Sequence, residues 1–101
     1  MGKMVMLVCS AGMSTSLLVN KIKTIVEEKS LEIQIMAASE AEAKSYQGRV
    51  DVLLLGPQVK FLAKKMEELM GERGTKVGII DSLSYGTLDG EAVLKQILKL
   101  F

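Results

Sequence analysis

Apolar and polar positions along this chain fall into blocks whose spacing switches repeatedly between the strand period and the helix period. Residues 3–8, Lys-Met-Val-Met-Leu-Val, make a nearly unbroken apolar run with β-branched members, the pattern of a central parallel strand covered on both faces. After a turn at residues 9–12, Leu18, Ile22, Ile25 and Val26 fall at i, i+4, i+7 and i+8, which predicts a helix capped by Ser14 and ending near Lys29. Leu31, Ile33 and Ile35 then alternate with Glu32 and Gln34, as expected of a strand with one wet face at a sheet edge. Ser39 and Glu42 have the spacing of a capping box, so a short second helix should follow and end near Gly48.

Residues 50–55 repeat the apolar run and close at Gly56-Pro57, where proline suits a first helical turn because its missing N–H would have no partner there. Val59, Leu62, Ala63, Met66, Leu69 and Met70 recur at helical spacing, with Gly71 as the expected stop. Residues 76–80 read as a brief fourth strand and 81–86 as a polar loop; Asp89 then caps a helix carrying Val93, Leu94, Ile97, Leu98 and Phe101 on one stripe. Strands alternating with helices imply an α/β fold with right-handed crossovers. Two apolar strands beside an alternating one favour a three-layer, open four-stranded parallel sheet in the order 2-1-3-4. Helices cover both faces in this flavodoxin-like topology, which is also that of low-molecular-weight phosphatases. In that order the connections leave strands 1 and 3 in opposite directions, and ligands bind in the crevice beyond their carboxyl ends. Cys9 and Gly56-Pro57-Gln58 both fall there.

A length of 101 residues fits one domain, 1–101, with no second unit. Thirteen Lys and Arg against twelve Asp and Glu leave a net charge of +1, which removes the basic field of a nucleic-acid or anionic-membrane binder. There is no histidine and one cysteine, so an internal disulfide, the usual zinc and transition-metal constellations and histidine-dependent hydrolase triads are excluded. No metal and no cofactor are expected. The first apolar run is far shorter than the roughly 20 residues that span a bilayer, and no charged leader precedes a secretory segment. A reducing, cytoplasmic setting without membrane insertion is the economical expectation.

The chemistry concentrates after the first strand. Ser10, Ala11, Gly12, Met13, Ser14, Thr15 and Ser16 are mostly small, so their backbone N–H groups can converge on one point ahead of the helix and cradle a phosphate. Cys9 faces the same point, where a helix amino end favours a thiolate. A nucleophile beside a phosphate cradle suggests a phosphocysteine intermediate. The spacing is that of low-molecular-weight tyrosine phosphatases, a cysteine, five residues, then arginine, but Thr15 stands at the arginine position. Without a guanidinium to clamp the hydrolytic transition state, the loop favours holding a phosphoryl group over releasing it to water. Three readings stay open on these residues alone: phosphoryl carrier, cysteine-loop phosphatase, and a phosphate- or partner-binding module with an inert buried cysteine. One of Ser14, Thr15 and Ser16 serves as helix cap, and by analogy with the phosphatase loop Ser16 either hydrogen-bonds the sulfur or caps the helix. Pro57 and Gln58 either start a helix or reach the crevice. Asp81 and Tyr85 are better read as turn residues than as the rim they could also form. Met13, at the loop tip, offers an apolar contact to a partner.

Leu-Val-Cys-Ser-Ala-Gly-Met-Ser-Thr-Ser-Leu-Leu-Val (7–19), Leu-Leu-Gly-Pro-Gln (54–58) and Asp-Ser-Leu-Ser-Tyr-Gly-Thr-Leu-Asp-Gly (81–90) together resemble one family. It is the enzyme IIB component of the bacterial sugar phosphotransferase system (PTS), lactose/cellobiose/chitobiose group, cellobiose type. The resemblance covers essentially the whole chain. It implies a phosphohistidine–sugar phosphotransferase in which Cys9 accepts a phosphoryl group from a phosphohistidine on the IIA partner. The group then passes to a sugar, a cellobiose-like β-glucoside, entering through the membrane IIC component. A chain without histidine fits the acceptor side of that relay. Its contacts should be transient and the chain itself a monomer.

Overall fold

A computed structural model describes residues 2–9 and 12–101, with residues 12–14 described by their backbone alone. Among the described residues, β1 (Lys3–Val8), β2 (Ile33–Ala38), β3 (Val52–Leu55) and β4 (Lys76–Ile79) form one sheet in the order 2-1-3-4. All its pairings are parallel. The order is the one the apolar pattern predicts. Side chains alternate across the pleat, so β1 sends Val5 and Leu7 to one face and Met6 and Val8 to the other, and β3 divides Val52 and Leu54 from Leu53 and Leu55 in the same way.

Helices α1 (Gly12–Glu28) and α5 (Gly90–Leu100) close the first face through Leu18, Ile22, Val93, Leu94 and Ile97. The second face is covered by α2 (Glu40–Lys44) and α3 (Ala63–Met70), which bring Ala43, Met66 and Met70. Both layers are needed because the central strands are apolar on both sides.

Several boundaries differ from the sequence expectation, each for a local reason. The second strand begins at Ile33 and not at Leu31, because α1 ends in a Schellman turn: Leu31 N–H donates to Val26 C=O at 3.0 Å and Ser30 N–H to Glu27 C=O at 3.1 Å, with Ser30 at φ +54°. Leu31 is therefore spent on closing the helix and enters the core from a turn. The third strand begins at Val52 because Asp51 pairs partly through its side chain, its Oδ2 accepting Met4 N–H at 2.8 Å where a strand carbonyl would. The capping box at Ser39 and Glu42 is present, but α2 stops at Lys44 and the chain reaches Gly48 through turns.

Gly56-Pro57 opens a 3₁₀ segment, Pro57–Leu62, with a kink at Val59 (φ −120°, ψ 24°) before α3 starts. Gly71 ends the α-helix as its C-cap, as expected, but in the right-handed conformation (φ −64°, ψ −30°). The chain continues through a 3₁₀ turn, Gly71–Arg73, to Gly74, whose φ of +90° is the left-handed conformation that glycine adopts without steric cost. Residues 81–86, expected as a loop, contain a one-turn helix, α4 (Ser82–Gly86). No helix among the described residues is long and apolar enough to cross a membrane.

Candidate functional site

Cys9 follows the last residue of β1 and is 7% exposed; its N–H donates to Ala38 C=O at 3.3 Å. It stands at the carboxyl end of a central strand, beside β3, whose following residue Gly56 donates its N–H to Val8 C=O at 2.8 Å. Ser10 and Ala11 lie outside the described residues, as do the side chains of Gly12, Met13 and Ser14.

The helix after Cys9 starts at Gly12, two residues before the expected Ser14 cap, so Ser14 is the third helical residue and Met13 belongs to the first turn and not to a loop tip. An α-helix leaves the N–H groups of its first three residues without intrahelical partners. Gly12, Met13 and Ser14 therefore present the open donors of α1, while the N–H groups of Thr15 and Ser16 already belong to the helix ladder.

Thr15 is fully buried, and its Oγ1 lies 3.0 Å from Tyr85 Oη. Gln58 Nε2 donates to the same Tyr85 Oη at 3.0 Å. Thus Tyr85, assigned on sequence to a turn, reaches across to join the first turn of α1 to the segment after β3. Ser16 is exposed one residue further along α1. Pro57 is half-buried at the head of the 3₁₀ segment.

Gly56 matters to this arrangement through what it lacks. A β-carbon there would stand 2.6 Å from Gln58 Oε1 and 3.6 Å from Cys9 Cβ. Its absence lets the Gln58 amide fold back beside the cysteine. Sequence reasoning placed Gly56 at the crevice but gave it no role; the signal was the Gly-Pro-Gln order after an apolar strand.

Asp81, expected as a turn residue, is the N-cap of α4. Its carboxylate accepts Ser84 N–H and Ser84 Oγ–H, each at 3.0 Å, capping α4. The Ser84 backbone donor, seconded by its hydroxyl, holds the Asp81 carboxyl below the usual value. A folded carboxyl with a lowered pKa stabilises the native state above its unfolded value of about 3.9, and that contribution is lost as pH falls through the lowered value. The Ser84 amide resonance is therefore expected to titrate with an inflection below about 3.9. An inflection at or above that value contradicts the cap.

Gln96, which sequence reasoning passed over, steadies the same loop: its amide donates to Ile79 C=O at 2.5 Å and accepts Asp81 N–H at 3.2 Å. Its side chain thus occupies the outer edge of β4 where a further strand would pair. No cluster of three or more metal-ligating residues exists among the described residues.

These features define an open α/β protein whose chemistry-bearing residues gather at the carboxyl edge of a doubly covered parallel sheet. The family model of the PTS system, Lactose/Cellobiose specific IIB subunit, matches residues 4–96. The chain belongs to that family. It is 37% identical over 98 residues to the PTS system oligo-beta-mannoside-specific EIIB component of Bacillus subtilis (strain 168), covering 97% of this chain and 95% of the relative. It is 36% identical over 97 residues to the PTS system cellobiose-specific EIIB component of Lactococcus lactis subsp. lactis (strain IL1403), covering 91% of this chain and 90% of the relative.

Among solved structures, the cellobiose-specific phosphotransferase IIB component from Borrelia burgdorferi superposes with a TM-score of 0.81 at 38% identity, covering 100% of this chain and 93% of that one. The lactose-specific IIB domain from Streptococcus pneumoniae gives 0.88 at 16% identity over 100% and 99%, a likeness of fold. Components of this kind are sugar-specific phosphotransferases of the PTS and work with IIA and membrane IIC partners.

Proposed function

We propose that the chain is a single-domain cytoplasmic phosphoryl carrier in which Cys9 takes a phosphoryl group from a IIA phosphohistidine and delivers it to a β-linked sugar of the cellobiose type at the IIC component. The observation that carries this reading is that Cys9 follows the end of β1, three positions ahead of Gly12 where α1 begins, in a chain homologous over nearly its whole length to EIIB components. In the first step the Cys9 sulfur attacks phosphorus, the S–P bond forms, the N–P bond to histidine breaks, and the proton given up by the thiol is balanced by one taken up on the released imidazole nitrogen. In the second a sugar hydroxyl oxygen attacks phosphorus, the S–P bond breaks, and the hydroxyl proton leaves to a base on the permease side. Amide donors of the loop and of residues 12–14 offset the charge on the phosphoryl oxygens in both.

Thr15, in place of an arginine, turns its hydroxyl to Tyr85 and supplies no guanidinium for hydrolysis, which supports transfer over release to water. Leu17, Phe61 and Leu83 are 53%, 76% and 75% exposed and lie on the three segments joined through Tyr85. Exposed apolar side chains on these segments suit partners that bind and leave.

Incubation with a phosphorylated cognate IIA protein, followed by intact mass and phosphorus NMR, tests the reading. The expected result is a gain of one phosphoryl group with a shift of the S–P type. A matched, phosphorylated IIA that leaves the chain unmodified overturns it in favour of a non-covalent binding module.

A further inference from the structure

Thr15 is 70 residues from Tyr85 in sequence and Gln58 is 27, yet both meet the same phenol oxygen. The three residues come from the segments that follow β1, β3 and β4, so a single hydroxyl ties together the three strand ends that frame the crevice. We infer that Tyr85 is a positioning residue for phosphoryl transfer at Cys9, holding Gln58 and the first turn of α1 in the arrangement the phosphoryl group requires. The inference rests on the carrier reading above.

Each link has a physical reason. The Thr15 hydroxyl has no access to water, and a buried hydroxyl needs a partner within the protein. Tyr85 supplies it. Because Gln58 Nε2 only donates, Tyr85 Oη accepts from it, which leaves the phenol proton available for Thr15 Oγ1. Thr15 lies directly after the three residues whose N–H groups are open, so its anchorage fixes the direction in which those donors point.

Gln58 is exposed, and an unrestrained glutamine samples several rotamers. Two contacts select one of them: the bond to Tyr85, and the seat of Oε1 over the α-carbon of Gly56 next to Cys9 Cβ. Of the two hydrogens on Nε2, Tyr85 takes one. Among the described residues the other meets no acceptor, and a phosphoryl oxygen on the Cys9 sulfur can serve as one. Gln58 then touches the transferred group, while Tyr85 and Thr15 act through their neighbours.

The test compares Tyr85→Phe, Gln58→Leu, Gly56→Ala and the double variant Tyr85→Phe/Gln58→Leu with the wild type, reading the rate of Cys9 phosphorylation against phospho-IIA concentration. Tyr85→Phe should slow transfer at saturating donor by about tenfold to about a hundredfold, with the half-saturating concentration within about twofold of wild type. Gly56→Ala should give the same signature, since its β-carbon expels the far end of a flexible side chain and spares the backbone.

The double variant should lose less than the product of the two single losses, because the Gln58 contact is counted in both. A Tyr85→Phe protein transferring at the wild-type rate overturns the inference, as do losses that multiply in the double variant or that appear only in the half-saturating concentration. Should Tyr85→Phe fail to fold, Gln58→Leu at an exposed position and Gly56→Ala decide the matter on the same criteria. A wild-type chain that takes no phosphoryl group at all overturns the carrier reading, and this inference with it.

Discussion

Cys9→Ser is expected to lower phosphoryl transfer to sugar by about a thousandfold or more while leaving the fold intact. Oxygen replaces sulfur at the same point of the chain, so the amide donors of residues 12–14 and the Gln58–Tyr85–Thr15 bonds remain in place. What disappears is the nucleophile: a serine hydroxyl without an adjacent base is a weak one, and this chain has no histidine to activate it. The substituted side chain is buried, so a stability cost of about 1–2 kcal/mol is expected from placing a hydroxyl there. Sugar phosphate formation in a complete system with the cognate IIA and IIC components measures the first effect, and urea unfolding the second. Retention of more than about a tenth of the wild-type rate with a melted protein excluded would contradict the role given to the sulfur.

Leu54→Ala is expected to cost about 2–5 kcal/mol of stability, a large part of the roughly 5–15 kcal/mol typical of a domain. Leu54 lies at the middle of β3, in register with Leu7 on one side and Gly78 on the other, and it is fully buried against the layer that α1 and α5 supply. Its neighbours are held by strand pairing and cannot close over the lost methyl groups, so the cavity persists. A fall in the urea midpoint at unchanged slope, followed by circular dichroism, is the expected record. A loss under about 1 kcal/mol would mean that the sheet relaxes around the site far more than its parallel pairing suggests.

The sheet order was legible because it depends on a coarse property, which strands are apolar on both faces. Val5 to Val8 and Val52 to Leu55 have no exposed member, and they are the two central strands. Element ends depend on single hydrogen bonds between backbone groups, and these were harder to read. Leu31 looks like a strand residue by alternation, yet its N–H closes the Schellman turn of α1.

Gly71 has the composition of a helix stop, but the left-handed residue is Gly74, three positions later. The one-turn helix α4 carried a readable signal, an aspartate three residues before Ser84, masked by the density of turn-forming residues around it. At the crevice, Cys9, Pro57 and Gln58 were nameable from their residue types and topological position, whereas Tyr85 read better as a turn residue. The convergence of Thr15 and Gln58 on Tyr85 was not legible, because it joins positions 70 and 27 residues apart through one atom.

A single-turnover chase tests the carrier reading most directly. The chain is phosphorylated on Cys9, separated from IIA, and added to membranes bearing the cognate IIC component with and without a cellobiose-type sugar. The expected result is loss of the S–P signal only when sugar is present, with one sugar phosphate formed per phosphoryl group lost. Release of inorganic phosphate at the same rate with and without sugar would contradict it and make the Cys9 loop that of a phosphatase.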